Sequence, residues 1–503
     1  MQKILTNEQM RNADGYTIAE CGVSSQTLME RAGAAIADEA ISALREQGGS
    51  RVLCVCGSGN NGGDGWCAAR ILMQKGCDVA VFFVSSARFS KDCDLQRRQY
   101  TGRVFSAFPK EKFDVVIDAL FGTGFHGEPS GEYAETIRAM NESGSFLISA
   151  DVPSGLSGDG CGKRFVRADV TVAIGEYKVV HFTRPCGKVV RKDIGIAVKE
   201  SPFAVLCEEE DLSDVFPPRA KDSHKGSFGK ALIWGGSFAY TGAPLLSAAA
   251  ALRCGCGFTQ LAVPQELFLG YVGALPEAIL TAVPCDSVGF RADEDFLREA
   301  MKADSVAFGM GCGVSLQIYE IVRRLLADYG GTLILDADAL NSLSEYGTDI
   351  LKSKNCRVVL TPHPKEFARL CGVDLKTILE NGYTDAENFA KEYGVIVLLK
   401  GSSVFVTDGS QRYFAAEGTP ALAKGGSGDV LSGIIAALCA FRADVLQNAV
   451  CAAFLLGRAG RYASRFPSNE YSVRASDVIA NLPQAISSLI KYSARRSVRA
   501  FVF

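Results

Sequence analysis

Residues 56–66 read CGSGNNGGDGW and directly follow a short apolar run. Gly57, Gly59 and Gly62 satisfy the pattern G-x-G-x-x-G, which in dinucleotide-binding proteins places a pyrophosphate at the start of a helix. The pattern alone is weak, because glycines suit any tight turn between a strand and a helix. A dehydrogenase also needs an acid about 20 residues further on to bind a ribose hydroxyl. The next strand-like run, DVAVFFV, ends in two serines, so hydride transfer is the weakest interpretation.

Two further loops carry polar groups where a parallel sheet would bind its ligand. DALFGTGFHGEPSG (118–131) and DVPSGLSGDG (151–160) each follow an apolar run, and doubly wound sheets bind ligands at the carboxyl ends of their strands. Oxygen ligands suit a cation, and free backbone N–H groups suit a phosphate. A single aspartate here could be only a helix cap, but three such loops together predict a binding site. The polar residues that they bring together are Asn61, Asp118, Asp151 and Ser154.

The C-terminal half carries another glycine-rich loop, GTPALAKGGSGDVLSG (418–433), directly before an apolar helical run. Gly425, Gly426 and Gly428 leave backbone N–H groups free at a helix start, where the helix dipole also attracts a phosphate. Asp429 in the first turn could accept a hydroxyl proton while those N–H groups stabilise a transferring phosphoryl group. The alternative is that Asp429 only stabilises the helix start, which is worth roughly 0.3–1 kcal/mol.

The segments that position these loops alternate between strand-like and helix-like patterns in both halves of the chain. Such alternation predicts an α/β protein with two domains, the first a Rossmann-like doubly wound sheet. We expect a domain at 1–205, a linker at 206–222, where acids and prolines collect, and a second domain at 223–495. Short apolar runs around TDGS predict an antiparallel hairpin, and helices are expected to dominate from Asp429 onward. The expected strands are 51–56, 78–84, 113–118, 145–150, 230–234, 257–263, 304–308, 332–335, 357–360 and 395–399.

Helix starts are also readable in the first domain. Thr6 and Gln9 form a candidate capping box, a second helical stretch runs over about 25–45, and a third is expected at about 64–75.

Composition limits the class of protein. The chain has 503 residues, and its 48% of hydrophobic residues is typical of a globular protein. Its net charge of −3 provides no general electrostatic field for binding nucleic acid. No apolar run reaches about 18 residues and no signal peptide opens the chain, so we expect a cytoplasmic protein that does not contact membranes. The 17 cysteines are scattered through apolar segments, and the four histidines are too few for a zinc site, so neither disulfides nor zinc are expected.

The three N-terminal loops, GSGNNGGDG, DALFGTGFHG and DVPSGL, resemble in order and spacing the NAD(P)H-hydrate epimerase domain, over about residues 8–198. Those enzymes interconvert the R and S hydrates that form when water adds to C6 of the nicotinamide ring. The resemblance implies a potassium ion held by Asn61, Asp118 and Ser154. We expect Asp151 to do acid/base work, because moving a hydroxyl between faces requires proton transfer. The implied substrate contacts are Asn60, Asn61, Gly62, Gly63, Asp64, Gly122, Thr123, Gly124, Phe125, His126, Gly127, Glu128 and Asp151.

GGSGDVLSG resembles the anion-hole and catalytic-aspartate motif of ribokinase-like kinases. With KGSFGKALIWGGSFAYTG, GMGCG, LDADALN, TPHPKEFARL and LLKGSSVFVTDG, it resembles the ADP- or ATP-dependent NAD(P)H-hydrate dehydratases over about 222–490. The resemblance implies a ribokinase-like α/β domain in which Asp429 is catalytic and Glu366 helps to organise Mg²⁺. It implies a substrate pocket of Ala243, Gly311, His363 and Asp429. It implies nucleotide contacts from Lys400, Gly401, Ser402, Ser403, Val404, Gly425, Gly426, Ser427 and Gly428.

Several features leave alternatives open. Lys365, Met310 and Lys424 stand where small or different residues are common in the dehydratases, and Lys424 adds charge beside the phosphate loop. His363 could simply pack between its two prolines, and we expect a substrate or structural role rather than metal binding for Asp336 and Asp338.

The functional alternative is a ribokinase-like kinase for a vitamin or small alcohol, fused to a non-catalytic nucleotide-binding module. The fused arrangement resembles bacterial enzymes, which implies ADP as the donor. We expect NADH and NADPH hydrates as substrates, and a homo-oligomer.

Overall fold

The computed structural model describes residues 2–84, 88–156, 163–286 and 289–500, with side chains described as far as residue 490. These residues form two compact units, one from Gln2 to Ala204 and one from Val205 onward. Among them, no helix is long and apolar enough to cross a membrane, and the described cysteines are all unpaired.

The first unit is a doubly wound α/β structure. Its large sheet has the order β4-β3-β2-β5-β6-β7-β9 and all its pairs are parallel, while β1 pairs in parallel with β8. The strands are β1 (Gln2–Leu5), β2 (Arg51–Cys56), β3 (Asp78–Phe83), β4 (Arg103–Phe105), β5 (Val115–Ala119), β6 (Phe146–Ala150), β7 (Val170–Ile174), β8 (Tyr177–Lys178) and β9 (Lys188–Lys192). The helices are α1 (Asn7–Ala19), α2 (Ser25–Gln47), α3 (Asn60–Gln74), α4 (Lys91–Gln99), α5 (Gly131–Glu142) and α6 (Val180–Thr183).

Strand β2 explains why the sheet is buried on both faces. Val52 and Cys54 pack into an apolar cluster with α2 and α3, whereas Leu53 and Val55 pack into another with α5. A strand covered on both faces reads as a continuous apolar run, as the sequence RVLCVC does. The chain leaves β2 towards β3 and β4, and then returns on the other side to β5. The sheet therefore has its topological switch point between β2 and β5, where such sheets bind ligands.

The helix starts agree with the sequence in one place and differ in another. The predicted capping box is confirmed, because Thr6 accepts from the Gln9 backbone and Gln9 accepts from the Thr6 backbone. Helix α3 begins at Asn60, so the expected start at about 64 was wrong. Gly59 is extended (φ −85°, ψ −170°) and makes no side-chain cap, so neither a capping residue nor an apolar period marked the true start.

The second unit is also α/β, with most strands parallel. The strands are β10 (Ala204–Leu206), β11 (Lys230–Trp234), β12 (Phe258–Pro264), β13 (Ile279–Val283), β14 (Cys285–Asp286), β15 (Gly289–Phe290), β16 (Ser305–Phe308), β17 (Thr332–Leu335), β18 (Arg357–Leu360), β19 (Ile396–Leu399), β20 (Val404–Thr407) and β21 (Arg412–Ala415). The helices are α7 (Gly242–Arg253), α8 (Phe268–Tyr271), α9 (Glu294–Ala300), α10 (Leu316–Asp328), α11 (Asp338–Tyr346), α12 (Pro364–Cys371), α13 (Leu375–Tyr393), α14 (Ser427–Phe441), α15 (Val445–Ala463) and α16 (Ala475–Ala500).

The order of its large sheet is β13-β12-β11-β16-β17-β18-β19-β20-β21-β10. Pairing is parallel from β13 to β19 and antiparallel from β19 through β20 to β21, which confirms the hairpin predicted around TDGS. The three last helices also confirm the helical C-terminal part. Helix α14 is central, because its buried face packs in one apolar cluster with residues of α7 and α15.

The stretch 206–222, expected to be a linker, is partly built into this second unit. Leu206 pairs with Phe414 of β21, and Leu212 and Val215 are buried in the unit's main apolar cluster. Its acids and prolines suggested exposure, but its few apolar residues find a core to fill.

Candidate functional site

The glycines of the N-terminal loop allow two backbone segments to approach closely at the switch point. A Cβ on Gly57 would lie 2.1 Å from the Leu120 carbonyl oxygen, and one on Gly62 would lie 2.0 Å from the Gly57 carbonyl oxygen. Gly59 faces open space instead. The motif therefore brings the turn after β2 against the loop after β5. Because α3 has no side-chain cap, its first N–H groups remain available to an anion.

A cavity of about 570 Å³ opens at this edge of the sheet. Its lining includes several predicted contacts, namely Asn60, Asn61, Asp64, Gly122, Thr123, Gly124, Phe125 and Asp151. Gly62 and Gly63 are buried behind the lining. The cavity lining does not include the predicted contacts His126, Gly127 and Glu128. The Glu128 carboxylate accepts from the Lys163 N–H instead. The loops that sequence reasoning grouped together do meet, but the second loop contributes only its first half.

Asp118 is fully buried and held by protein donors. Its Oδ2 accepts from the Ser149 hydroxyl and the Ser154 N–H, both at 2.8 Å, and its Oδ1 accepts from the Ser154 hydroxyl at 2.5 Å. Burial raises the pKa of the Asp118 carboxyl, and the bonds from Ser154 and Ser149 oppose that rise. Neither Asp118 nor Asp151 is a helix cap, because no helix begins at either residue.

The Asn61 side chain carries a buried oxygen without a hydrogen-bond partner among the described residues. Its Nδ2 donates to the Phe121 carbonyl at 2.9 Å, whereas its buried Oδ1 has no hydrogen-bond partner among the residues that the structure describes. Buried polar atoms without a partner are rare in native proteins, and a bound cation is one way to satisfy them. An amide oxygen of this kind suits a hard cation. The Ser154 hydroxyl is already engaged, since it accepts from the Phe121 N–H at 2.9 Å.

Asp151 is fixed through both its side chain and its backbone. Its Oδ1 accepts from the Lys178 ammonium at 2.5 Å, and its carbonyl oxygen lies 2.8 Å from His181 Nε2. Its φ of +66° is unusual for a residue with a side chain, and such strain persists only when the surroundings impose it. Lys178 and His181 therefore hold the aspartate in a conformation that it would otherwise avoid.

Lys178 and His181 themselves are buried and oriented. The Lys178 ammonium also donates to the Ile174 carbonyl at 2.6 Å, and its side chain is only 1% exposed. His181 Nδ1 accepts from the Lys178 N–H at 3.0 Å, so Nε2 carries the proton and donates to Asp151. Burial, together with Lys178, lowers the pKa of His181 to about 4, so this ring stays neutral. Sequence reasoning missed both residues, because their segment GEYKVVHF contains no glycine-rich loop.

Asp14, Asp64 and Asp92 line the same cavity as Asp151, and the pKa values of the first two are raised. Burial raises the pKa of Asp14 to about 6, a rise that Lys178 opposes and Asp151 reinforces. Burial also raises the pKa of Asp64 well above its ordinary range, with Asp151 and Asp14 adding to the effect. Three of these carboxyls thus surround one ammonium. Asp64 was predicted as a contact, but Asp14 was not, because it lies on α1, far from the loops in sequence.

The second unit places its glycine-rich loop at the start of α14. Gly426 adopts φ +95° as the N-cap, and no side chain caps the helix. A Cβ on Gly428 would lie 3.4 Å from Lys400 Nζ and 3.7 Å from Asp336 Oδ2. Three stretches that are distant in sequence therefore meet at one helix N-terminus, which suits a phosphate.

Lys400 lies between two acids at this point. Its ammonium donates to Asp336 Oδ1 at 2.9 Å and is 3.8 Å from Glu366 Oε2. Burial disfavours the charge, but Asp336 and Glu366 raise the pKa of Lys400 above its ordinary value. The other Asp336 oxygen accepts from the Ser432 hydroxyl at 2.7 Å. Asp336 thus binds protein groups on both oxygens, and the next residue, Ala337, has φ +50°.

Asp429 lies in the first turn of α14 but is not paired with the lysine. Burial raises its pKa to about 7; Asp336 adds to the rise and Lys400 opposes it. Its carbonyl oxygen accepts from the buried Ser247 hydroxyl at 2.6 Å, which fixes the helix start against α7. The carboxyl is therefore poised to gain or lose a proton near neutral pH.

His363 is the N-cap of α12. This structural role agrees in part with the alternative that the ring only packs and hydrogen-bonds within the protein. Its Nδ1 accepts from the N–H groups of Lys365 and Glu366, and its own N–H donates to Glu366 Oε2 at 2.8 Å. Burial lowers the pKa of His363, and Lys400 and Arg369 add to the effect. The ring is still 46% exposed, so a ligand could contact its free edge.

The remaining predicted residues lie on neighbouring loops. Lys400 to Ser403 form the turn from β19 to β20, which begins at Val404, and Gly418 packs against the Ser402 carbonyl. Gly311 has φ +70° and packs against Tyr240, while Ala243 lies in the first turn of α7. Gly425 and Ser427 flank the N-cap of α14.

Three departures from the expected motifs are explained in part. The Lys424 ammonium donates to the carbonyls of Tyr471 and Val473, so it ties down the phosphate loop. Met310 is fully buried, and its carbonyl accepts from Gly236. The Lys365 side chain is exposed, and nothing in the structure explains it further.

Within the described ranges, no three His, Cys, Asp or Glu side chains form a group that could hold a metal ion. Mg²⁺ that accompanies a nucleotide usually keeps several waters and takes only one or two carboxylates besides the phosphates. The Glu366 carboxylate accepts from the His363 N–H at 2.8 Å and lies 3.8 Å from the Lys400 ammonium.

Comparison with known proteins covers both units. A family described as NAD(P)H-hydrate dehydratase matches residues 231–484, and one described as the YjeF-related protein N-terminus matches 25–180. The bifunctional NAD(P)H-hydrate repair enzyme of Archaeoglobus fulgidus is 35% identical over 474 residues, which cover 92% of this chain and 95% of that protein. A hypothetical protein of Streptococcus mutans superposes with a TM-score of 0.50 at 25% identity, over 57% of this chain and 100% of that one. The ADP/ATP-dependent NAD(P)H-hydrate dehydratase of Bacillus subtilis, co-crystallised with ATP and Mg²⁺, gives a TM-score of 0.49 at 26% identity, over 57% and 99%.

Proposed function

The chain belongs to the family of bifunctional NAD(P)H-hydrate repair enzymes, and we propose that it performs both steps of that repair. The first unit would interconvert the R and S hydrates of NADH and NADPH. The second would convert the S hydrate back to the reduced dinucleotide at the expense of ADP or ATP. The observation that supports this proposal is the presence, in one chain, of two sites that each combine an uncapped helix start with an aspartate paired to a lysine.

In the first unit, Asp151 is the proposed acid/base group. The Lys178 ammonium holds its carboxylate in the cavity by a hydrogen bond at 2.5 Å, where it would accept a proton from the C6 hydroxyl. The dinucleotide phosphates would bind at the N-terminus of α3. A potassium ion held by Asn61, Asp118 and Ser154 would supply fixed positive charge beside the substrate.

In the second unit, Asp429 is the proposed base. It would take the proton from the C6 hydroxyl as that oxygen attacks the terminal phosphoryl group of the nucleotide. The N–H groups at the start of α14 would stabilise the charge on the transferring group. The phosphate then leaves with the C6–O electron pair, a proton leaves C5, and the C5–C6 double bond forms. Mg²⁺ bound with the nucleotide would neutralise phosphate charge during the transfer.

Joining the two activities has a chemical reason. Water addition at C6 creates both epimers, whereas a stereospecific dehydratase consumes one of them. An epimerase on the same chain supplies the consumable epimer from the other.

The test uses purified full-length protein, a mixture of hydrated NADH epimers and Mg²⁺, with ADP and ATP added separately. Recovery of reduced-nicotinamide absorbance with one nucleotide would identify the donor, and complete recovery would require the epimerase as well. Asp429→Asn should abolish recovery while leaving R-to-S conversion intact. Asp151→Asn should limit recovery to the S fraction.

Other outcomes point elsewhere. No recovery with either nucleotide would contradict the repair function and favour the kinase for a vitamin or small alcohol. Recovery limited to the S fraction in the unsubstituted protein would favour a first unit that only binds nucleotides.

A further inference from the structure

The cavity of the first unit contains more proton-carrying groups than one acid/base residue needs. Asp14, Asp64 and Asp151 all line it, and among the described residues of the lining Lys178 alone is a buried cation. Its ammonium donates to Asp151, and neither Asp14 nor Asp64 accepts a hydrogen bond within the described part of the chain. One carboxyl is thus engaged, and two are left facing the cavity.

We propose that Asp14 is the second proton-transfer group of this site and works with Asp151 on the two faces of C6. The proposal rests on the epimerase activity proposed above. It is built on placement, because Asp14 lies on α1 and Asp151 directly follows β6, so the two carboxyls reach the same cavity from different elements. Arg11, Asp14 and Ile18 follow a helical spacing and present one face of α1 to that cavity.

The reaction requires such a pair. One carboxylic acid gives its proton to the C6 hydroxyl, the C6–O electron pair leaves with water, and the N1 lone pair forms an N1–C6 double bond. Water then attacks C6 from the other face, the π electrons return to N1, and a carboxylate takes the released proton. Reaction in one direction uses Asp14 as the acid and Asp151 as the base, and the reverse direction exchanges their roles. A single proton shared by two carboxyls therefore suffices.

The electrostatic setting matches these parts. The pKa of Asp14 is near 6, so this carboxyl can exchange its proton close to neutral pH, as efficient acid/base groups do. Burial raises the pKa of Asp64 well above its ordinary value, which favours a protonated carboxyl that donates a hydrogen bond. Besides Asp14, the charged groups that line the cavity are Arg11, Asp64, Asp92, Asp151 and Lys178.

The decisive variant is Asp14→Asn, assayed for R-to-S conversion without nucleotide so that the dehydratase is silent. Loss of a general acid/base group should lower kcat by about 100-fold or more with little change in KM. In the unsubstituted protein, the rate should decline as the pH rises above about 6, because Asp14 loses its proton. That decline should be absent from the residual activity of the variant. Enzyme-free epimerisation at each pH is subtracted.

Matched controls separate catalysis from folding. Glu8→Gln changes an exposed acid on the same helix and should keep both the rate and the pH profile. Asp14→Glu restores the carboxyl and should recover part of kcat. Dehydration of the S hydrate by the same Asp14→Asn chain, with nucleotide added, should remain normal.

Two failures are distinguishable. If the unsubstituted protein does not interconvert the epimers, the proposed function itself fails. If it does, and Asp14→Asn keeps both its rate and its decline above pH 6, the role of Asp14 is overturned.

Discussion

The two sites are assembled from the same parts but connect them differently. Each has a glycine-rich turn before an uncapped helix, one lysine among several acids, and one residue other than glycine with positive φ shortly after a strand. In the first unit, the lysine binds Asp151, the proposed base itself. In the second, Lys400 binds Asp336 and leaves Asp429 unpaired.

This difference shows how one lysine can set two kinds of acid/base group. In the first unit, the direct ion pair fixes the orientation of the Asp151 carboxylate. In the second unit, the lysine pairs with Asp336 instead. The pKa of Asp429 is therefore raised by burial and by the Asp336 carboxylate. Asp429 accordingly titrates near 7. The first arrangement fixes the position of the acid/base group through the ion pair, whereas the second leaves a base whose availability depends on pH.

The largest effect should come from removing the lysine that binds its base directly. Lys178→Met leaves Asp151 with an uncompensated charge, and breaking a buried pair in this way costs about 3–5 kcal/mol. We expect R-to-S conversion to fall at least about 100-fold, together with a lower denaturation midpoint. Lys75→Met, which breaks an exposed pair with Asp38 in the same unit, is the control and should change little.

The same substitution sharpens the comparison between units. Lys400→Met should impair dehydration and leave epimerisation intact, whereas Lys178→Met should do the reverse. Equal loss of both activities in either variant would mean that the units are not independent in function.

A smaller effect is expected at the unsatisfied oxygen, for which the second unit has no counterpart among its proposed residues. If Asn61 Oδ1 helps to hold potassium, KCl should raise the melting temperature of the protein more than NaCl does. Asn61→Ala should remove that difference and slow epimerisation about 10-fold. Asn60→Ala should retain the potassium effect, and a salt response identical in Asn61→Ala and the unsubstituted protein would rule out this site.

The smallest effect should be a shift in pH dependence. Asp429 must be ionised to act as a base, so dehydration should increase as the pH rises through about 7. Asp336 raises the pKa of Asp429, so Asp336→Asn should move this increase in the dehydration rate, the ascending limb of the pH profile, to lower pH. Asp338→Asn should move it in the same direction by less, because Asp338 contributes least to the shift. An unmoved limb in both variants would argue that another group controls the profile.

Much of the fold was predictable because its determinants are local. The run RVLCVC, the capping box at Thr6 and the hairpin around TDGS each depend on a few adjacent residues, and the structure confirms all three. The start of α3 was misplaced, since an uncapped turn of glycines and asparagines has no apolar period. The glycine-rich loops at strand ends were also readable from local sequence, and the structure places the loops of the first unit around one cavity.

By itself, the sequence determined two α/β units, their strand-end loops and the aspartates in those loops, because periodicity and turn chemistry act over a few residues. Only the tertiary structure decided which groups share a charge. Lys178 meets Asp151 across 27 residues and Lys400 meets Asp336 across 64, and each meeting depends on strands that pair far apart in sequence. Burial, which sets the pKa values of Asp14 and Asp429, is likewise a property of the packed chain. The sequence supplies the acidic side chains and lysines of both sites, whereas the pKa values of the acids depend on which groups the fold buries together.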